Sequence, residues 1–228
     1  MKAATKEKIM AQIETWEYMK TLPKQIHGFD YVLLMQEKGD VLDLYRYENK
    51  ETHRSVTVYY HEETNEYKLR MRIGLTEFCV IEYIYADLAA FQKILQERCD
   101  DLLADMQTFN PKHITSIVHD KKIMQWDYKK MLPETFAGFK LFITPDQPVR
   151  VINGSYIIFD YSDFTNKSNF IIYYNVFRDE FFGESRVFDI PEVSYDFDSH
   201  ELQELVNKLE VKLFPHLQKI RTRVNAGK

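Results

Sequence analysis

The side chains best able to do chemistry are the seven histidines, at positions 27, 53, 61, 113, 119, 200 and 216. A helical zinc pair needs two of them three or four residues apart on one face, and no two stand that way on a helical stretch. His61-Glu62-Glu63 opens like a zinc-protease signature, but its fifth position is Asn65 and the segment reads as a turn. His200 stands at a helix start, with no nucleophile or orienting carboxylate assignable to it. The seven glycines form no phosphate-binding loop, dinucleotide fingerprint or nucleophile elbow. The carboxylates Glu62, Glu63 and Glu66 sit in a turn. Asp196, Asp198 and Glu201 approach a helix start, where the macrodipole favours negative charge. Cys79 and Cys99 are too few for a disulfide framework and too far apart for a zinc site, which favours a reducing, cytoplasmic setting. No catalytic residue, metal site or cofactor is expected.

One strand carries a pattern that suits a ligand. Lys68, Arg70 and Arg72 alternate with Leu69, Met71 and Ile73, so three cations share one face and the other face is apolar. Arg46 lies between Tyr45 and Tyr47 on another strand, and together the six residues suggest a basic, aromatic surface for single-stranded nucleic acid. The charge balance points the other way. Residues 1–110 hold 14 Lys and Arg against 19 Asp and Glu, whereas the remainder holds 16 of each. A solvated strand face is the simpler explanation of the stripe and ranks ahead of nucleic-acid binding.

The elements that must position these residues come in two copies. Shifted by 110 residues, Trp16, Tyr18, Lys20, Leu22, Pro23, Gly28 and Phe29 fall on Trp126, Tyr128, Lys130, Leu132, Pro133, Gly138 and Phe139. Past a longer loop in the second copy the offset becomes 114: Tyr47 meets Tyr161, Tyr59 and Tyr60 meet Tyr173 and Tyr174, and Arg72 meets Arg186. Leu88, Leu95 and Leu103 then meet Leu202, Leu209 and Leu217. Such self-similarity implies a tandem duplication, with repeats at 1–110 and 111–228 joined near Asn110-Pro111.

Ile9, Ile13, Trp16 and Met19 form the stripe of an amphipathic helix ending at Leu22 before Pro23, so a helix is expected to open each repeat. Trp16 and Trp126 then read as structural anchors of the core, ahead of a role as stacking platforms. Strands are expected at 29–34, 41–47, 55–60, 67–73 and 78–83, joined by turns short enough for an antiparallel meander. Leu88, Phe91, Leu95 and Leu103 mark a closing helix. Its counterpart is expected to start at a capping box of Asp198 and Glu201 and to kink or end at Pro215, leaving Lys219, Arg221, Arg223 and Lys228 on a separate basic tail. Asn153-Gly154-Ser155 and Asn166-Lys167-Ser168 match the glycosylation acceptor pattern and read as turns.

The fold class expected is therefore α+β. Each repeat runs helix, antiparallel sheet of four to five strands, helix, and the two are related by a pseudo-twofold. In element order the stretches 29–106 and 139–220 are similar in outline to whirly and transcription-coactivator-type single-strand binders. That resemblance implies single-stranded nucleic-acid binding, and the opening segments with Trp16 and Trp126 are additions to its plan. No apolar run reaches the roughly 18 residues of a membrane span, and Met1 to Met10 carries Lys2, Lys6 and Lys8 without an apolar stretch, so neither a membrane span nor an export signal is expected. The duplication, the 14% aromatic content and the missing catalytic signatures favour a non-catalytic binding or assembly protein whose first-ranked partner is a protein.

Overall fold

Ile9 and Ile13 are buried on α1 (Ala3–Glu14), but the helix does not run on through Trp16 as the stripe suggests. The Thr15 hydroxyl donates back to the carbonyls of Gln12 and Ala11, competing with the backbone ladder, and the chain turns before resuming as α2 (Glu17–Thr21). The break swings the indole inward. Trp16 is buried and its Nε1 donates to Gln92 Oε1 at 2.7 Å.

The structure, a computed structural model, describes residues 1–227 as two units, Met1–Phe109 and a second beginning at Asn110. It is α+β, with an antiparallel sheet in each unit and a long C-terminal helix. In the first unit β1 (Gln25–Ile26), β2 (Phe29–Lys38), β3 (Val41–Asn49), β4 (Arg54–His61), β5 (Glu66–Ile73) and β6 (Thr76–Cys79) pair strictly in chain order. The strand expected at 78–83 stops early, because a single helical turn at Ile81–Tyr83 carries Tyr83 into the core. One face of the sheet, bearing Tyr67, Leu69, Met71 and Ile73, is buried and receives α3 (Leu88–Gln107), whose Phe91 stacks on Tyr67 at 5.8 Å. Asp87 caps α3 by accepting from Ala90 N at 2.8 Å.

The second unit opens differently from the first. In place of a full helix it has α4 (Ser116–Asp120), halted where Lys122 turns left-handed at φ 55°, followed by single turns at Ile123–Gln125 and Tyr128–Lys130. Trp126 is consequently only partly buried, packed against the core of its unit beside Tyr128. The sheet runs β13 (Ile190–Ser199), β12 (Glu180–Val187), β11 (Ser168–Asn175), β10 (Ser155–Asp163), β8 (Phe139–Ile143) and β7 (Thr135–Phe136), with β9 (Val149–Arg150) added beside β10.

Leu205, Leu209, Leu213, Leu217, Ile220 and Val224 of α5 (Leu202–Ala226) are buried at helical spacing against this sheet. Two expectations fail here. Asp198 caps nothing, because burial of Phe197 and pairing of Ser199 with Phe181 keep it in β13; the His200 amide is met instead by Glu204 Oε2 at 3.2 Å. Nor does Pro215 end the helix. It sits on the exposed side, as does Val211, whose carbonyl loses its intrahelical donor and is left to water. Lys219, Arg221 and Arg223 thus belong to α5, and Lys228 lies outside the described residues. No helix among the described residues is long and apolar enough to cross a membrane.

Candidate functional site

Register decides what the striped strand can do. Arg46 pairs with Thr57, Thr57 with Arg70, and Arg72 with Ser55, so these cations share a face, whereas Tyr45 and Tyr47 point to the opposite, buried face. The tyrosines therefore cannot stack on bases. They pack with Tyr31 at 5.6 Å, and the Tyr47 hydroxyl donates to the Pro23 carbonyl at 2.8 Å. The cations are also engaged. Arg70 grips the fully buried Asp43 with contacts of 2.6 and 2.7 Å while lying over the Tyr59 ring at 5.0 Å. Lys68 pairs with Glu66 at 3.0 Å, Arg46 with Glu48 at 3.4 Å, and Arg72 donates to the Gly74 carbonyl at 3.1 Å while remaining exposed. These contacts make the stripe a set of local bridges.

His61 lies at the end of β4, its Nε2 2.9 Å from Asp40 Oδ2 and its Nδ1 2.9 Å from Thr64 Oγ1. With Glu63 these residues offer three ligand atoms within 4.8 Å of one another. The Lys68 ammonium stands 3.4 Å from His61 Nδ1, which places a positive charge against an entering cation. The two cysteines are free, and burial pushes the Cys99 thiol up to about 12.

A second region escapes motif searching. β13 is the edge of its sheet, paired with β12 on one side only, and Ile190, Val193 and Tyr195 on it are 72%, 51% and 78% exposed. Pro191, which lacks an amide hydrogen, and the irregular pairing beyond Ser194 guard this edge against addition of another strand, yet leave its apolar side chains available. Alongside runs a groove of about 360 Å³ between β13 and α5.

The helical wall of that groove carries His216, Lys219 and Arg223, spaced three and four residues apart on one face, and Lys212 stands one turn before His216 on the same face. Arg223 is paired with Glu192 and Lys212 with Asp196, the two carboxylates coming from β13, and each carboxyl is held below its ordinary range by its partner. Between these bridges the Ser185 hydroxyl and His216 Nε2 are hydrogen-bonded at 2.7 Å. Phe170 and Phe197 flank the imidazole at 4.6 and 5.3 Å, and burial, aided by Lys219, lowers its proton affinity.

Comparison of the chain with protein-family models, with curated proteins and with solved structures gives no match in any of the three.

Proposed function

We propose that the chain is a binding or assembly protein whose partner is another protein, docked on the side chains of β13. One observation carries this reading: the apolar residues Ile190, Val193 and Tyr195 are left largely in solvent along a single guarded edge strand. Exposed tyrosine is among the side chains that most often anchor a protein interface. The guarded edge argues for recognition through side chains rather than by an added strand. Capture from nuclease-treated lysate with the wild-type chain and with an Ile190→Glu, Tyr195→Glu variant tests it. The same stoichiometric protein should be retained by the first and lost by the second at unchanged thermal stability; retention by both would remove β13 from the interface.

Duplication belongs to the same reading, since a doubled scaffold offers two related surfaces. Hydrogen bonds recur at the offsets read from the sequence. The Tyr47 hydroxyl donates to the Pro23 carbonyl and the Tyr161 hydroxyl to that of Pro133, at 2.8 and 2.7 Å. Tyr60 donates to Asn65 at 2.5 Å and Tyr174 to Asp179 at 2.6 Å. The amide of Thr52 reaches Asn49 at 3.0 Å, and that of Asn166 reaches Asp163 at 3.2 Å. The left-handed pairs His27-Gly28 and Ala137-Gly138 turn the chain at matching places. An experimental structure in which residues 29–73 and 139–187 failed to superpose would count against common descent.

A further inference from the structure

We infer that Asn153-Gly154 is a site of spontaneous covalent modification, at which the asparagine deamidates through a cyclic imide and lengthens the main chain of its turn. This inference goes beyond protein docking on β13 and stands without it. The dipeptide joins β9 to β10, with Asn153 and Gly154 both left-handed at φ 55° and 69°. Asn153 is exposed, and its carboxamide makes no hydrogen bond among the described residues. The other turn asparagines are held. The carboxamides of Asn49, Asn110 and Asn175 accept from amides of their own turns, and those of Asn65 and Asn166 are tied to Tyr60 and Asp163. Asn207 and Asn225 lie within α5, and Asn169 is buried in β11. Asn153 is also the only asparagine followed by glycine, so no Cβ shields the attacking nitrogen.

The reaction needs water alone. The Gly154 amide nitrogen loses its proton and bonds to the side-chain carbonyl carbon of Asn153, whose bond to Nδ2 breaks as ammonia leaves. Water then opens the imide at one carbonyl or the other. The products are aspartate, with the main chain unchanged, and isoaspartate, whose main chain runs through Cβ and gains a carbon. Closing the imide takes Asn153 out of its left-handed conformation, so the reaction proceeds through local opening of the turn. That turn is closed by Ser155 N on the Ile152 carbonyl at 3.1 Å and Val151 N on the Ser155 carbonyl at 2.8 Å, and its first arm, β9, is only Val149–Arg150. So short an arm opens at little cost.

The added carbon is felt in the neighbouring turn. The Asn153 carbonyl accepts from Asn175 Nδ2 and the Gly154 carbonyl from Val176 N, both at 2.9 Å. Asn175 Oδ1 in turn accepts from the amides of Phe177 and Arg178, each at 3.0 Å. The Phe177 ring, 81% exposed, lies so close over Gly154 that a Cβ there would come within 2.7 Å of it. Isoaspartate changes the spacing of the two carbonyls, so they can no longer hold Asn175 and Val176 together, and the turn that carries Phe177 is released. Aspartate keeps the spacing and leaves it in place.

The test ages the folded full chain for several weeks in warm neutral buffer and reads every asparagine by peptide mass mapping, with isoaspartate told from aspartate by fragmentation. Conversion at Asn153 should exceed that at any other asparagine by about tenfold, and most of the product should be isoaspartate. In the isoaspartyl fraction, hydrogen exchange of the Val176 and Phe177 amides should quicken by about tenfold. Asn153→Asp copies the other product, and Asn153→Gly keeps the left-handed turn without a carboxamide; exchange in both should stay within about twofold of fresh wild type. Conversion at Asn153 no greater than at Asn65 or Asn175 would overturn the site. Unchanged exchange at Val176 in the isoaspartyl fraction, or an equal rise in Asn153→Asp, would overturn the release of the Phe177 turn.

Discussion

Asp160 sits on β10 with no solvent exposure, its Oδ1 accepting a hydrogen bond from the Ser162 hydroxyl at 2.9 Å. Burial pushes the carboxyl from 3.8 up to about 7, against the opposing pull of the Ser162 hydroxyl, the Asn169 side chain and the Arg186 charge. Between about pH 4 and 7 the folded chain therefore holds more of this proton than the unfolded chain, and stability falls as pH rises through that window. A displacement of about three pH units corresponds to about 4 kcal/mol lost by pH 8. Asp160→Asn keeps the acceptor for Ser162 and removes the charge. Urea unfolding should find the variant about 2 to 4 kcal/mol more stable than wild type at pH 8 and close to it at pH 4, allowing for the buried amide. The difference between the two proteins is the proper readout. His216, whose proton affinity is lowered, contributes stability that is lost as pH falls from 6.5, and this cancels in the subtraction. A difference that stays flat from pH 4 to 8 would refute the reasoning.

Other substitutions test the packing. Trp16→Ala should cost about 3 to 5 kcal/mol in chemical denaturation, the usual loss for a buried large aromatic, whereas Trp126→Ala at its half-buried place should cost about 1 to 3. Arg70→Met strands the buried Asp43 with only Lys38, 3.5 Å away, and should cost about 3 to 5 kcal/mol; the double change with Asp43→Leu should recover most of that loss. Pro215→Ala restores a backbone donor to the exposed side of α5 and should raise stability by about 1 to 3 kcal/mol, read as a higher melting temperature.

The sheets were legible because alternation is a local signal: in β5 every second residue from Tyr67 to Ile73 is buried, as its pattern implies. The antiparallel sense of pairing followed from short turns, for which the left-handed residues Gly39 and Asn65 supply the backbone. What failed depended on contacts distant in sequence. The inward seat of Trp16 answers to Gln92, and the persistence of β13 through Asp198 answers to Phe181. Helix α5 outlasts Pro215 because its buried leucines continue on both sides. The site failed for a related reason. Tyr45, Arg46 and Tyr47 are neighbours in the chain, but successive strand residues face opposite ways, so rings and guanidinium never shared a surface. The groove did leave a trace, in basic residues at 216, 219 and 223 and carboxylates at 192 and 196. Reading it required knowing that α5 lies along β13.

Site-specific photo-crosslinking tests the β13 interface most directly. A benzoylphenylalanine at position 195 should yield one discrete protein adduct in the native host, abolished by Ile190→Glu. The same probe at Val211, an equally exposed apolar position on α5, should yield none. Equal adducts from both positions, or none from position 195 in a folded chain, would contradict protein docking on β13.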